Sequence, residues 1–334
     1  MMKLKTFSYI DREGTGIEVF RMLLPENWKF EGGIRWILDN PGMPAIVMFR
    51  VGNEIDEFEV FPNQSFYWTN DFTISMMFPR GSRYFGNEIQ PPVGPIDALR
   101  NIVIPRFRGG LELKIIKEEP LAELAKILKV EGKGNGARIR IEYERNGILM
   151  EEDIYCIVEL YEYSTPSFIG ITKNIFWLVD YIFSFKSIKG KLEDNKILQT
   201  VAFSFKLNPL WYNKYKQIIQ YLAQMQIRQI RNVGELSRII SQTSNEIRED
   251  NMRDYYARGD IMDRVMKESS HTIRGTEEYY DETQGKNVEL PSGHDDIWAN
   301  SLGYYILSDN PNYNPNIDKD NNNLSWTRIE KTKY

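Results

Sequence analysis

The chain has 334 residues, 42 of them basic and 47 acidic, for a formal charge of −5, so no overall field draws it toward nucleic-acid phosphates or an anionic membrane. Hydrophobic residues make up 42% and aromatics 13%, which is enough apolar surface to build a core and excludes wholesale disorder. One cysteine and two histidines leave no material for a disulfide framework, a cysteine zinc cluster or most acid–base constellations.

No apolar run reaches the about 18 residues of a membrane-spanning helix, and the opening MMKLKTFSYIDREG has no apolar export region. The expectation is a soluble, cytoplasmic protein without a transmembrane segment, or an exported one whose signal has been removed.

To about residue 206 the apolar pattern has period two, the period of strands. Gly16 to Leu24 is a strand stopped by Pro25, and Ala45 to Val51 is another, entered through Asn40-Pro41-Gly42. Residues 58 to 78 carry an aromatic strand stretch that Pro62 should interrupt and that resumes in FTISMMF. Two helices are inserted, Pro95 to Pro105 and Pro120 to Leu128, each with Pro near its start and a leucine or isoleucine stripe. Over 137 to 163, Ile139, Ile141 and Tyr143 alternate with polar residues and Asn146-Gly147 offers the two positive-φ positions of a tight hairpin turn. The returning strand places Cys156 in an apolar row with Ile154 and Val158. A last strand pair is read at Phe176 to Phe185 and Leu198 to Phe205. Strands with inserted helices predict an α+β class, an antiparallel sheet with packed helices, over residues 1–206.

After Asn208-Pro209 the pattern turns helical, and residues 207–270 read as a connector. Ile219, Val233, Ile240 and Ile247 form a partial heptad through Gln226, an opening for self-association that Asn232 to Gly234 interrupts. Residues 271–334 read as a small β-rich tail with strands at Thr276 to Tyr280, Asn287 to Leu290, Tyr304 to Leu307 and Trp326 to Ile329.

The candidate chemistry is sparse. Cys156 sits where a thiol acts as apolar filler. His294, Asp295 and Asp296 are the one trio that could hold a metal or act as a base, yet three adjacent residues rarely converge on one atom. Residues 309–323 are rich in oxygen ligands but lack the glycine and the terminal glutamate of a calcium loop. Gly132, Gly134 and Gly136 precede a strand and have no phosphate-loop lysine. Arg100, Arg106 and Arg108 read as a solvated edge rather than a nucleic-acid site. Trp28, Trp36, Phe66, Tyr67 and Trp68 either cap a core or line a recognition groove. No cofactor or metal is called for.

The opening, with Phe7 and Tyr9, the strand GIEVFRMLLP and Pro25-Glu26-Asn27-Trp28, resembles the PsbP-like fold shared by a photosystem oxygen-evolving subunit and a Ran GTPase nucleotide-release factor. The tail resembles a pattern of bacterial proteins of uncharacterised role, carried here by Ile273 to Gly275, Val288 to Gly293, Trp298, Gly303 to Asp309, Asn314 to Asn316 and Trp326 to Arg328. That pattern has a tyrosine where this chain has His294. The PsbP-like resemblance implies docking to protein partners, by analogy of fold only.

The reading that follows is a non-enzymatic interaction or assembly module, binding a protein partner through Trp298 and Tyr304 with His294, Asp295 and Asp296 beside them, or a second copy through the connector, and no nucleic acid. The alternatives are a hydrolase or metal-dependent enzyme using His294, Asp295 and Asp296, and a small-ligand binder using the aromatics of residues 1–206.

Overall fold

Asn146 (φ 53°) and Gly147 (φ 77°) both adopt left-handed backbone, and the hairpin they close is the spine of the larger sheet. The computed structural model describes residues 2–38, 43–84, 86–128, 134–167, 170–193, 195–227, 276–321 and 323–332. The turn Asn40-Pro41-Gly42, Gly132, the heptad beyond residue 227, His271 and Ile273 to Gly275 lie outside the described residues. Among the described residues strands dominate, with 50% strand against 17% helix, so the α+β class holds in its coarse sense.

In chain order, β1 (Met2–Ile10) and β2 (Glu18–Pro25) are followed by β3 (Lys29–Trp36), β4 (Ala45–Gly52), β5 (Glu57–Val60) and β6 (Gln64–Thr69). Helix α1 (Phe72–Met77), β7 (Arg83–Tyr84) and β8 (Asn87–Ile89) precede α2 (Pro95–Ala98), a π-helical turn at Leu99–Val103 and α3 (Ile104–Arg108). Then come β9 (Leu113–Leu121), α4 (Leu124–Ile127), β10 (Gly134–Arg145), β11 (Ile148–Ser167) and β12 (Gly170–Ile188). Helix α5 (Lys196–Phe203), β13 (Lys206–Leu207) and α6 (Pro209–Ile227) lead to β14 (Thr276–Asp281), β15 (Lys286–Pro291), β16 (Asp296–Ala299), β17 (Tyr304–Ser308) and β18 (Thr327–Arg328).

The chain forms two compact units. One takes residues 1–29, 193–212 and 241–334, the other 30–192 and 213–240. The physical reason is strand pairing across the sequence. In the first unit β1 lies between β2 and β17, so the opening hairpin and the tail share one antiparallel sheet of order β13-β2-β1-β17-β16-β18. Leu4, Leu23, Leu290, Ile297, Tyr305 and Leu307 are part of its core. Asp281, fully buried there, accepts from the Tyr305 hydroxyl at 2.7 Å.

The second unit holds a ten-stranded sheet whose main path runs β3-β4-β5-β12-β11-β10-β9, with β6 paired to β12, β8 to β6 and β7 to β8. Strand β12 is long enough to take both β5 and β6 along one edge, pairing Phe183 to Lys186 with the first and Asn174 to Val179 with the second. Pro62 lies in the gap between them, where its missing N–H costs no ladder bond. Opposite that gap the β11–β12 register slips between Tyr155 and Ile157, and Tyr181 takes a positive φ of 47°, the form of a β-bulge. Helices α2 and α3 cover one face, where Leu99, Ile102, Val103, Ile139, Ile154 and Trp177 pack together. The π-turn between them carries a bond from Ile104 N–H to the Leu99 carbonyl. This wider turn accommodates Pro105, whose ring clashes with a carbonyl four residues back in an α-helix.

Three expected elements differ. FTISMMF is not a strand but helix α1, because the Asp71 carboxylate accepts from Thr73 N at 2.9 Å and Ile74 N at 3.0 Å and caps a turn. Leu198 to Phe205 is mostly helix α5, capped by Asn195, and β12 already has partners on both edges. Pro120 to Leu128 is not one helix: its first residues end β9 and only Leu124 to Ile127 turn helical. Gly136 is the third residue of β10, where a Cβ would come within 2.8 Å of the Leu124 side chain.

Candidate functional site

Strand β16 runs between β17 and β18, and the alternation of side chains sorts the predicted residues. Ile297 and Ala299 enter the core of the first unit. Asp296 and Trp298 take the opposite face, with Arg328 directly across from Trp298 and Tyr304 on β17, two positions from its partner Ile306. Trp298 and Tyr304 are half-buried rather than freely exposed. The Trp298 indole Nε1 is buried with no acceptor among the described residues, so what the ring offers outward is its carbon surface. Lys3 holds its ammonium 5.2 Å from the Tyr304 ring centroid, a cation–π arrangement, and also pairs with Glu26 at 3.3 Å.

The acidic trio does not converge. His294 Nδ1 meets Asp309 Oδ1 at 2.7 Å, Asp296 is buried and ion-paired with Arg328, and Asp295 is exposed. Among the described residues no three His, Cys, Asp or Glu side chains come together as a metal site. Arg328, 62% exposed at its side chain, is the member that sequence reasoning missed as a binding residue; only its place in the closing Trp-Thr-Arg marked it.

The second unit holds a denser charged cluster, and here the reading of Arg108 as a solvated edge residue is corrected. Arg108 ends α3 with its guanidinium turned onto the sheet. Its Nη2 donates to Glu59 Oε2 and to Glu152 Oε1, each at 2.6 Å, and its Nε donates to Glu152 Oε2 at 2.9 Å. Tyr143 donates its hydroxyl to the same Glu152 carboxylate at 2.9 Å. Glu152 is fully buried. Burial alone would raise its carboxyl, but the Arg108 hydrogen bonds and charge prevail and hold it below the usual carboxylate range. Glu59 goes the other way: burial raises it despite Arg108. Lys186, on the strand between, pairs with Glu57 at 2.5 Å. Arg100 and Arg106 stay nearer the surface, on Glu118 and Glu88, each at 2.5 Å. The cluster is a closed network in which each cation already has a carboxylate, so it reads as a structural clamp of α3 on the sheet.

Cys156, Phe66, Tyr67 and Trp28 fall into cores, whereas Trp36 and Trp68 are half-buried. Cys156 is fully buried opposite Ala137, its Sγ 3.6 Å from the Pro95 carbonyl, and burial pushes its thiol up, the opposite of what a nucleophile needs. Phe66 and Trp177 stack at 4.2 Å between centroids, and Trp28 and Tyr67 are buried too. On the other face of β11 and β12, burial pushes Asp180 up to about 6, with Glu159 adding to the rise and the Tyr181 amide opposing it.

Helix α1 exposes three large apolar side chains, Phe72, Met76 and Met77, at 79%, 68% and 64%. No residue of that helix is buried. Sequence reasoning missed it by treating FTISMMF as a strand. Its signal is a run from Phe72 to Asn87 that carries Arg80 and Arg83 and no carboxylate.

No protein-family model matches the chain, and no curated protein matches it at a significant level. Among the described residues, no helix is long and apolar enough to cross a membrane.

Proposed function

We propose that the chain is a non-catalytic interaction module that docks a protein partner on the Trp298 face of its first unit. The observation that carries this reading is the placement of Trp298, Tyr304 and Arg328 on one sheet face, opposite the face that forms the core. Tryptophan, tyrosine and arginine are the residue types that dominate binding hot spots, because they supply large contact area and directional donors at modest entropy cost. Arg328 and Lys3 border the aromatic surface, each already paired with a carboxylate, Asp296 and Glu26, so recognition would rest on ring area and directional donors rather than on net charge. The PsbP-like resemblance of the opening supports the same class of function by analogy. His294 and Asp295 take the place of rim residues in this reading, and Asp296 orients Arg328.

The test is capture of a partner from native extract, repeated with purified partner. Trp298→Ala and Arg328→Ala each should weaken binding of that partner by about tenfold or more, while the melting temperature of the free protein stays put and Phe72→Ala, in the other unit, binds normally. A melting loss in free Trp298→Ala that accounts for the lost binding would assign the ring to the core instead. Substrate turnover or a stoichiometric metal, abolished by His294→Ala, would favour the enzyme reading over docking.

A further inference from the structure

We infer that α1 and the turn after it form an interfacial anchor that seats the second unit on an anionic lipid surface. The helix has no buried residue, so its own packing does not explain why it forms; an isolated helix of this length is far too short to be stable in water. What holds it is the Asp71 cap and a 2.8 Å bond from Phe78 N–H to the Ile74 carbonyl. The result is an outward-facing turn that presents Phe72, Met76 and Met77 to solvent. A second apolar tip stands beside it: Asn70 and Lys173 exchange hydrogen bonds at 2.7 and 3.2 Å, and Ile171, two residues from Lys173, is 76% exposed.

Charge identifies the occupant. The chain as a whole is acidic, yet from Phe72 to Asn87 the only charged residues are Arg80 and Arg83, both exposed. Asp71 is engaged as the cap, and Lys173 is paired with Glu162 at 2.7 Å. A protruding set of phenylalanine, methionine and isoleucine side chains with basic residues at its base matches the interfacial layer of a bilayer, where apolar side chains enter the acyl boundary and arginines meet anionic headgroups. The contact is shallow: a helix of six residues lies in the interface and does not span it.

The experiment is co-sedimentation of the full chain with phosphatidylcholine vesicles, with and without phosphatidylserine, at low and high salt. The expected result is binding to the phosphatidylserine vesicles that weakens with salt. The combined Phe72→Ser, Met76→Ser and Met77→Ser variant should lose about tenfold or more of that binding, and Arg80→Glu with Arg83→Glu should lose a similar factor, both with unchanged melting temperature. Absence of vesicle binding by the wild-type chain would overturn the inference, as would binding that either variant retains in full. A concentration-dependent dimer abolished by the serine variant would also overturn it, by giving the apolar tips to a second copy. None of these outcomes depends on the Trp298 face.

Discussion

Helix α1 and the helical run of α2 and α3 have similar raw material and opposite fates. Both are short and rich in apolar residues, and each starts on a recognisable signal: Asp71 caps one, Pro95 at the first helical position opens the other. Yet Ala98, Leu99, Ile102, Val103 and Ile104 are buried against the sheet, whereas nothing in α1 is. Apolar content therefore does not decide burial here. What differs is the second attachment: α3 ends in Arg108, whose guanidinium clamps the run onto Glu152 and Glu59, while α1 ends without such a bond to the sheet.

The largest expected effect comes from breaking that clamp. Arg108→Ala leaves the Glu152 carboxylate buried beside Tyr143 without its cation and should cost about 3 to 5 kcal/mol in denaturant unfolding. The pH dependence has a definite sign. Because the folded-state value of Glu152 is lowered, its contribution is present above the ordinary carboxylate range and is lost as pH falls through the folded value. Glu59, raised on folding, acts oppositely: its contribution is present below the ordinary range and is lost as pH rises through its folded value. The Arg108→Ala chain should therefore lose the acid-limb slope that Glu152 gives the wild type, which unfolding curves recorded down the acid range would reveal.

A middle-sized effect sharpens the contrast between the helices. Leu99→Ala, in the core, should destabilise by about 2 to 5 kcal/mol, whereas Met76→Ala on α1 should stay within about 0.5 kcal/mol. If the two losses were equal, α1 would have to be packed after all. A smaller loss than that of Leu99→Ala is expected of Asp71→Ala, which removes the cap and should cost about 1 kcal/mol, visible as faster amide exchange at Thr73 and Ile74 with little change in global melting.

The legible parts of the fold are those written locally. Asn146-Gly147 names its own turn, Pro62 names the interruption between β5 and β6, and the alternation on either side of Cys156 places it in a core. Where a short apolar run was misread, the deciding group lay just outside it: Asp71 turned FTISMMF into a helix, and Asn195 did the same for the segment after it. Strands β3 and β16 were not anticipated; β3 contains two glycines, and β16 is only four residues long. The union of the opening hairpin with the tail was beyond local reasoning because no pattern within either piece says which distant edge it will join. The candidate site divides likewise. Trp298 and Tyr304 could be picked by residue type, but that Arg328 stands across from Trp298, and that His294 turns to Asp309 instead of its neighbours, are facts of register and turn geometry.

The sheet that joins β1 to β17 also sets an order of events during synthesis. Thr6 and Gly303 are 297 residues apart and are bonded through both the Thr6 amide, at 3.1 Å, and its hydroxyl, at 3.3 Å. A nascent chain leaving the ribosome N-terminus first must hold the β1–β2 hairpin with one edge open until β17 has emerged, while the strands of residues 30–192 pair among themselves before that. The sheet of residues 30–192 is thus able to mature first, and a chain released before residue 304 is added has a β1 edge with no β17 to close against.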